Sequence, residues 1–161
     1  MTTEVAPIGQ EETPYRNSIT ETAFFEQLLA NTSEKDVFIA REILQAAQHA
    51  GYSIEWKESA FAVKYPDPNG GPVLVSLFVV SRRSYFYLMP TEKQLDKLGI
   101  DKERGFEYAR RIAAAIPAAE PGVGSQSSLL RYLRMPELAG HVDSLMRVVG
   151  DFVSMIDREA K

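Results

Sequence analysis

The chain has 161 residues, 45% apolar and 25% charged, enough for one globular domain with a full core. Its 18 Lys and Arg against 22 Asp and Glu give a formal charge of −4, which disfavours nucleic acid as partner, since a dedicated binder carries a basic stripe. The absence of cysteine excludes disulfides, thiolate metal sites and a Cys nucleophile, and two histidines leave no multi-histidine metal site.

Residues 1–17 combine two prolines and three glutamates with few apolar side chains, so a flexible N-terminal tail is expected, followed by a single domain over 18–161. Ser18 and Glu21 have capping-box spacing ahead of Phe24, Phe25, Leu28 and Leu29, which predicts a first helix stopping near Asn31. A second starts at Thr32 or Ser33, carries Val37, Phe38, Ile39, Ile43, Leu44, Ala46, Ala47 and Ala50, and ends at Gly51. No apolar run approaches the ~20 residues of a membrane span. No signal-peptide hydrophobic region stands at the N-terminus, so a soluble, cytoplasmic protein is expected.

Four β segments then follow closely. In the first, Ile54 and Trp56 alternate with Ser53, Glu55 and Lys57; the second repeats the pattern with Phe61, Val63 and Tyr65. Val73 to Val80 is apolar on both faces except at Ser76, which predicts a central strand covered by helices on both sides. The fourth, Ser84 to Met89, places Tyr85, Tyr87 and Met89 opposite Ser84, Phe86 and Leu88. Connections this short join only antiparallel neighbours, so a meander is expected.

Thr91 and Gln94 have capping-box spacing for a short helix. Asp101 opens a longer one with Phe106, Ala109, Ala113 and Ile116 on one side. A Gly/Ser-rich loop, 117–128, leads into a short helical piece, LLRYLRM. From Pro136 to about Glu159, Leu138, Val142, Leu145, Val149, Phe152 and Ile156 form a heptad-like seam. The expected architecture is α+β, ordered ααββββααα: a four-stranded antiparallel meander flanked by an N-terminal helix pair and C-terminal helices. Intramolecular packing is favoured for the last helix, although Val148 and Met155 on its other faces could offer a protein partner, or another copy in a homodimer, a second contact.

Two residue sets carry binding chemistry. Gly122, Gly124, Ser125 and Ser127, followed by Arg131 and Arg134, combine glycine backbone, a helix start and two guanidinium groups, a pattern suited to a small anion. No strand precedes it and no Gly-Lys-Ser/Thr ends it, so a nucleotide P-loop is excluded, and a capped flexible loop accounts for the same residues. Arg82 and Arg83 beside Tyr85 and Tyr87, with Lys57 nearby, could stack single-stranded bases. Between Tyr52 and Pro90 four basic residues face three acidic ones, a net of +1, so a hairpin turn with cross-strand aromatic pairs accounts for it more simply.

Chemistry beyond binding finds little support. Glu55-Trp56-Lys57 has the Glu-x-Lys form of metal-dependent nucleases, but that chemistry needs a second carboxylate on a preceding strand, and the next candidate, Asp67, comes afterwards in a loop. His49 and His141 stand far apart in the sequence with no Gly-x-Ser-x-Gly elbow. No catalytic residues, metal or cofactor are therefore expected. The reading that remains is a small non-catalytic binding or accessory protein, acting through a sheet-and-helix surface on a protein or a small anion. A nucleic-acid module and an enzyme with an anion pocket at 122–128 are the alternatives.

Overall fold

The computed structural model describes residues 18–122 and 127–161. The tail expected over 1–17 lies outside them, as do Gly124 and Ser125. In chain order the elements are α1 (Glu21–Asn31), α2 (Glu34–His49), β1 (Ser53–Trp56), β2 (Ala60–Pro66), β3 (Leu74–Ser81), β4 (Tyr85–Tyr87), α3 (Glu92–Lys97), α4 (Glu103–Ala115), β5 (Leu133–Arg134), a 3-10 turn (Met135–Leu138) and α5 (Val142–Glu159). The class is α+β, and the strands form one antiparallel sheet in the order β1-β2-β3-β4-β5.

The fifth strand corrects the four-stranded expectation. LLRYLRM was expected to be helical, but its Leu133 and Arg134 pair with Phe86 and Tyr85 instead. β4 would otherwise present an open row of backbone donors and acceptors, and an extended 133–134 satisfies part of it. The 3-10 turn follows directly, and Gly140, at a left-handed φ of 78°, separates it from α5. The single helix expected from Pro136 is thus broken.

Local capping agrees with the sequence in part. Ser33 caps α2 by accepting from the Asp36 amide, and Gly51 takes a left-handed φ of 84° after it. The cap of α1 is Thr20 rather than Ser18, accepting from the Ala23 amide at 3.1 Å. Thr91 makes no side-chain cap for α3; Gln94 is drawn away to β3, where it accepts from the Ser76 amide at 2.8 Å.

One apolar cluster unites the two ends of the chain. Phe24, Phe25, Leu28, Ile39, Ile43 and Leu44 of α1 and α2 join Phe61, Val63, Val75, Phe78, Val80 and Phe86 of the sheet and Ile112, Leu145, Val149, Phe152 and Ile156 of α4 and α5. Phe24 meets Phe25, Trp56 and Phe61 edge-on at centroid distances of 5.0 to 5.7 Å. The buried stripe of α4 runs through Gly105, Tyr108, Ala109 and Ile112, with Phe106 only half-buried. Tyr108 turns inward because its hydroxyl reaches the Leu77 carbonyl (2.8 Å) and its ring stacks on Phe152 (4.1 Å). Val148, Val153 and Met155 are buried too, so the second apolar face of α5 is occupied within the chain.

β3 is central and buried from Val75 to Val80, as its composition implied, while Leu74 is 44% exposed. The cover on its second face is not what was expected. That face carries a separate small cluster, Ala60, Ala62 and Val79 with Tyr87 against it, and no helix residue contributes among those described. Cross-strand register explains it: Glu55 faces Ala62, Ala62 faces Val79, and Val79 faces Tyr87, so large flanking side chains bracket small ones. Among the described residues, no helix is long and apolar enough to cross a membrane.

The turn between β3 and β4 is fixed by polar groups. Ser84 is fully buried at a φ of 75°, a conformation unusual for a residue with a Cβ. Its hydroxyl donates to the buried Asp36 side chain, which also accepts from Ser33 Oγ at 2.8 Å. Its carbonyl accepts from the Met135 amide at 3.0 Å, tying the turn to the end of β5. Ser84→Ala keeps the backbone strain and deletes only the hydroxyl, leaving one Asp36 oxygen without its donor. The expected loss is about 1–3 kcal/mol by urea unfolding; an unchanged midpoint would show that water replaces the bond without penalty.

Candidate functional site

β5 brings part of each sequence-derived residue set into one place: Arg131 and Arg134 of one, Tyr85 and Tyr87 of the other. Tyr132, immediately before the strand, stacks on Tyr87 with ring centroids 4.3 Å apart and planes at 16°, and meets Tyr85 edge-on at 5.8 Å. The Arg134 guanidinium lies over the Tyr85 ring, 5.5 Å from its centroid. A groove of about 230 Å³ opens beside this cluster, lined by Tyr87, Leu88, Met89, Pro90, Ser128, Leu129, Arg131 and Tyr132. Met89 and Tyr132 are 45% and 55% exposed, and Leu130, between two lining residues, is 53% exposed. Tyr132 and Met89 are the functional candidates that sequence reasoning passed over.

The polar rim is largely satisfied from within. Arg131 donates to both oxygens of Glu137 (3.1 and 2.8 Å) and to the carbonyls of Tyr132 and Ala118 (3.1 Å each). Glu137 also accepts from the Arg134 amide at 2.8 Å. The hydrogen bond from Arg131, the Arg134 amide and the nearby positive charges hold the Glu137 carboxyl below its ordinary value, against some burial. The Arg134 amide and the Tyr132 carbonyl, which β5 would otherwise offer to an added strand, are thereby engaged within the chain. Burial, with a contribution from Tyr132, raises the Tyr87 phenol above its ordinary value.

The described part of the 122–128 loop spends its donors internally. Pro121 bridges Leu129, and the Gly122 amide donates to the Ser128 carbonyl at 2.8 Å. Ser127 is buried; its hydroxyl donates to Glu92 at 2.6 Å and accepts from the Thr91 amide at 3.1 Å. Burial pushes the Glu92 carboxyl up, but the Ser127 hydrogen bond and local backbone amides hold it below the ordinary value. Gly105 of α4 packs against this node: a Cβ there would collide with Thr91 Oγ1 and stand 3.2 Å from Ser127 Oγ. The hydroxyl expected to meet an anion instead binds the protein's own carboxylate.

The other basic candidates are dispersed. Arg82 points to α1, donating to Gln27 Oε1 at 2.7 Å, while Arg83 is exposed in the turn. Glu55 sits between Lys64 (2.6 Å) and Lys57 (3.6 Å). Burial works against its charge, yet the hydrogen bond and charge of Lys64, helped by Lys57, keep its carboxyl below the ordinary value. Tyr85 and Tyr87 therefore share their surroundings with Tyr132 and Arg134, not with Arg82. Among the described residues, no three His, Asp or Glu gather as a metal would need.

No protein-family model, no curated protein and no solved structure matches this chain. The chemistry of the groove is consequently the ground for a functional reading. Its walls are apolar and aromatic, and its one lining guanidinium already holds a carboxylate.

Depression of the Glu137 carboxyl fixes the sign of a pH effect. The Arg131–Glu137 contribution is complete above the unfolded-state carboxyl value of ~4.3 and is lost as pH falls through the lower folded-state value. Glu137→Gln should remove that component from the acid limb of urea midpoints measured between pH 3 and 7, leaving the neutral limb parallel to the parent. Superimposable acid limbs would contradict the assignment.

Proposed function

We propose that the protein is a non-catalytic binding module and that the groove beside Tyr132 docks a partner protein. The occupant is an exposed apolar or aromatic side chain of that partner, with a carboxylate beside it to meet Arg134. The observation that carries this reading is the combination of exposed Met89 and Tyr132 with an Arg131 already held by Glu137. A groove whose lining cation is compensated gains by removing apolar surface from water, at roughly 25 cal/mol per Å² buried, rather than by capturing an anion. Aromatic anchors in a pocket with a polar rim are the usual source of binding energy at protein interfaces. Engagement of the β5 edge groups by Arg131 and Glu137 favours side-chain insertion over strand addition.

Single-stranded nucleic acid is the second reading, and it rests on the Tyr87–Tyr132 stack with Arg134 adjacent. Its weakness is charge: Lys57 and Lys64 are compensated by Glu55, and Arg82 is turned away.

The two readings separate in one set of measurements. A photo-crosslinking residue at position 132 should couple the full chain to a discrete protein in its native cells, and one at position 74 should not. The purified partner should then bind at least about tenfold more weakly to Tyr132→Ala, the penalty typical of a lost anchor. A labelled oligothymidine should show no binding at low salt. Equal crosslinking at both positions would remove the protein reading, and salt-dependent oligothymidine binding weakened by Tyr132→Ala would replace it with the nucleic-acid one.

A further inference from the structure

We propose that Met89 is a peroxide-sensitive site whose oxidation empties the groove, an inference that rests on the docking reading above. The chain's described methionines differ sharply in access. Met89 is 45% exposed, while Met135 and Met155 are 0% and 6% exposed and Met146 is packed against the core. A hydroperoxide must reach sulfur along an open line, so the exposed thioether reacts first.

The reaction is an oxygen-atom transfer. The sulfur lone pair attacks the terminal oxygen of the hydroperoxide, an S–O bond forms as the O–O bond breaks, and the proton on that oxygen passes to the departing oxygen, which leaves as water or an alcohol. Sulfur loses two electrons and the peroxide gains them. No thiol is involved, consistent with a chain that has no cysteine. The product is the sulfoxide, which reductases return to the thioether.

Position gives this chemistry its consequence. Met89 shares the groove with Tyr87, Leu88, Pro90, Leu129 and Tyr132, all of which offer carbon surface. A sulfoxide there is a strong acceptor that an apolar occupant would have to strip of water. The guanidinium in the same lining is held by both oxygens of Glu137 and is not available to receive it. Oxidation therefore opposes docking without touching the buried core.

The test uses graded hydrogen peroxide on the full chain, peptide mass spectrometry for each methionine, and anilinonaphthalene sulfonate as the groove probe. Met89 should oxidise at least about tenfold faster than Met135 or Met155, as expected for exposed against buried sulfur. Affinity for the dye should fall by about tenfold or more, the usual penalty for an apolar ligand facing an added polar group, and return after sulfoxide reductase treatment. Met89→Leu, whatever its own dye affinity, should be unchanged by peroxide. Equal oxidation rates, an unaltered dye affinity in the oxidised parent, or a peroxide-sensitive Met89→Leu would each overturn the switch. Selective oxidation with no change in affinity sinks the switch and leaves docking standing; a parent chain that takes up no dye before oxidation removes docking, and the switch with it.

Discussion

Pairing of Tyr85 with Arg134 and of Phe86 with Leu133 is the constraint from which the site follows. Antiparallel register sends Leu133 and Phe86 into the core and leaves Tyr132 and Arg134 on the face that carries Tyr85 and Tyr87. A slip of one residue would exchange those faces, burying Arg134 and exposing Leu133. The register is held at three places around this short strand. Ser84 binds the Met135 amide, Glu137 binds the Arg134 amide, and Arg131 spans Ala118, Tyr132 and Glu137. Buried Asp36 supports the first of these by fixing Ser84, so α2 is linked through the β3–β4 turn to the groove's supporting strand.

The division of labour between the two sheet faces follows from side-chain size. Phenylalanine, valine and leucine on one face meet helices from both ends of the chain in a single cluster. On the other, Ala60, Ala62 and Val79 are short enough to be bracketed by Glu55 and Tyr87. This small cluster thus needs no helical cover, and aromatic residues at the β4–β5 margin remain available to solvent.

Long periodic elements were legible in the sequence. The alternation of Ile54, Trp56, Phe61, Val63 and Tyr65 and the seam from Val142 to Ile156 are large repeated signals that tertiary packing then satisfied. A two-residue strand has no period to read, so LLRYLRM, rich in leucine, resembled a helical turn. Its one usable signal was the alternation of Tyr132 and Arg134 with Leu133 and Met135, set against the free edge that a meander leaves on its last strand. Without that pairing the Arg131–Arg134 and Tyr85–Tyr87 sets stood as unrelated candidates. The inward turn of Tyr108 and the diversion of Gln94 to Ser76 were hidden for a different reason: each depends on a hydrogen-bond partner more than fifteen residues away.

The most direct measurement is a double-mutant cycle on Tyr87 and Tyr132, each replaced by Ala and then both, with stability read from urea unfolding. A stacked pair created by the β4–β5 register predicts a coupling of about 0.5–1.5 kcal/mol. Losses that add to within ~0.3 kcal/mol would mean the rings do not interact, and the register that defines the groove would be wrong.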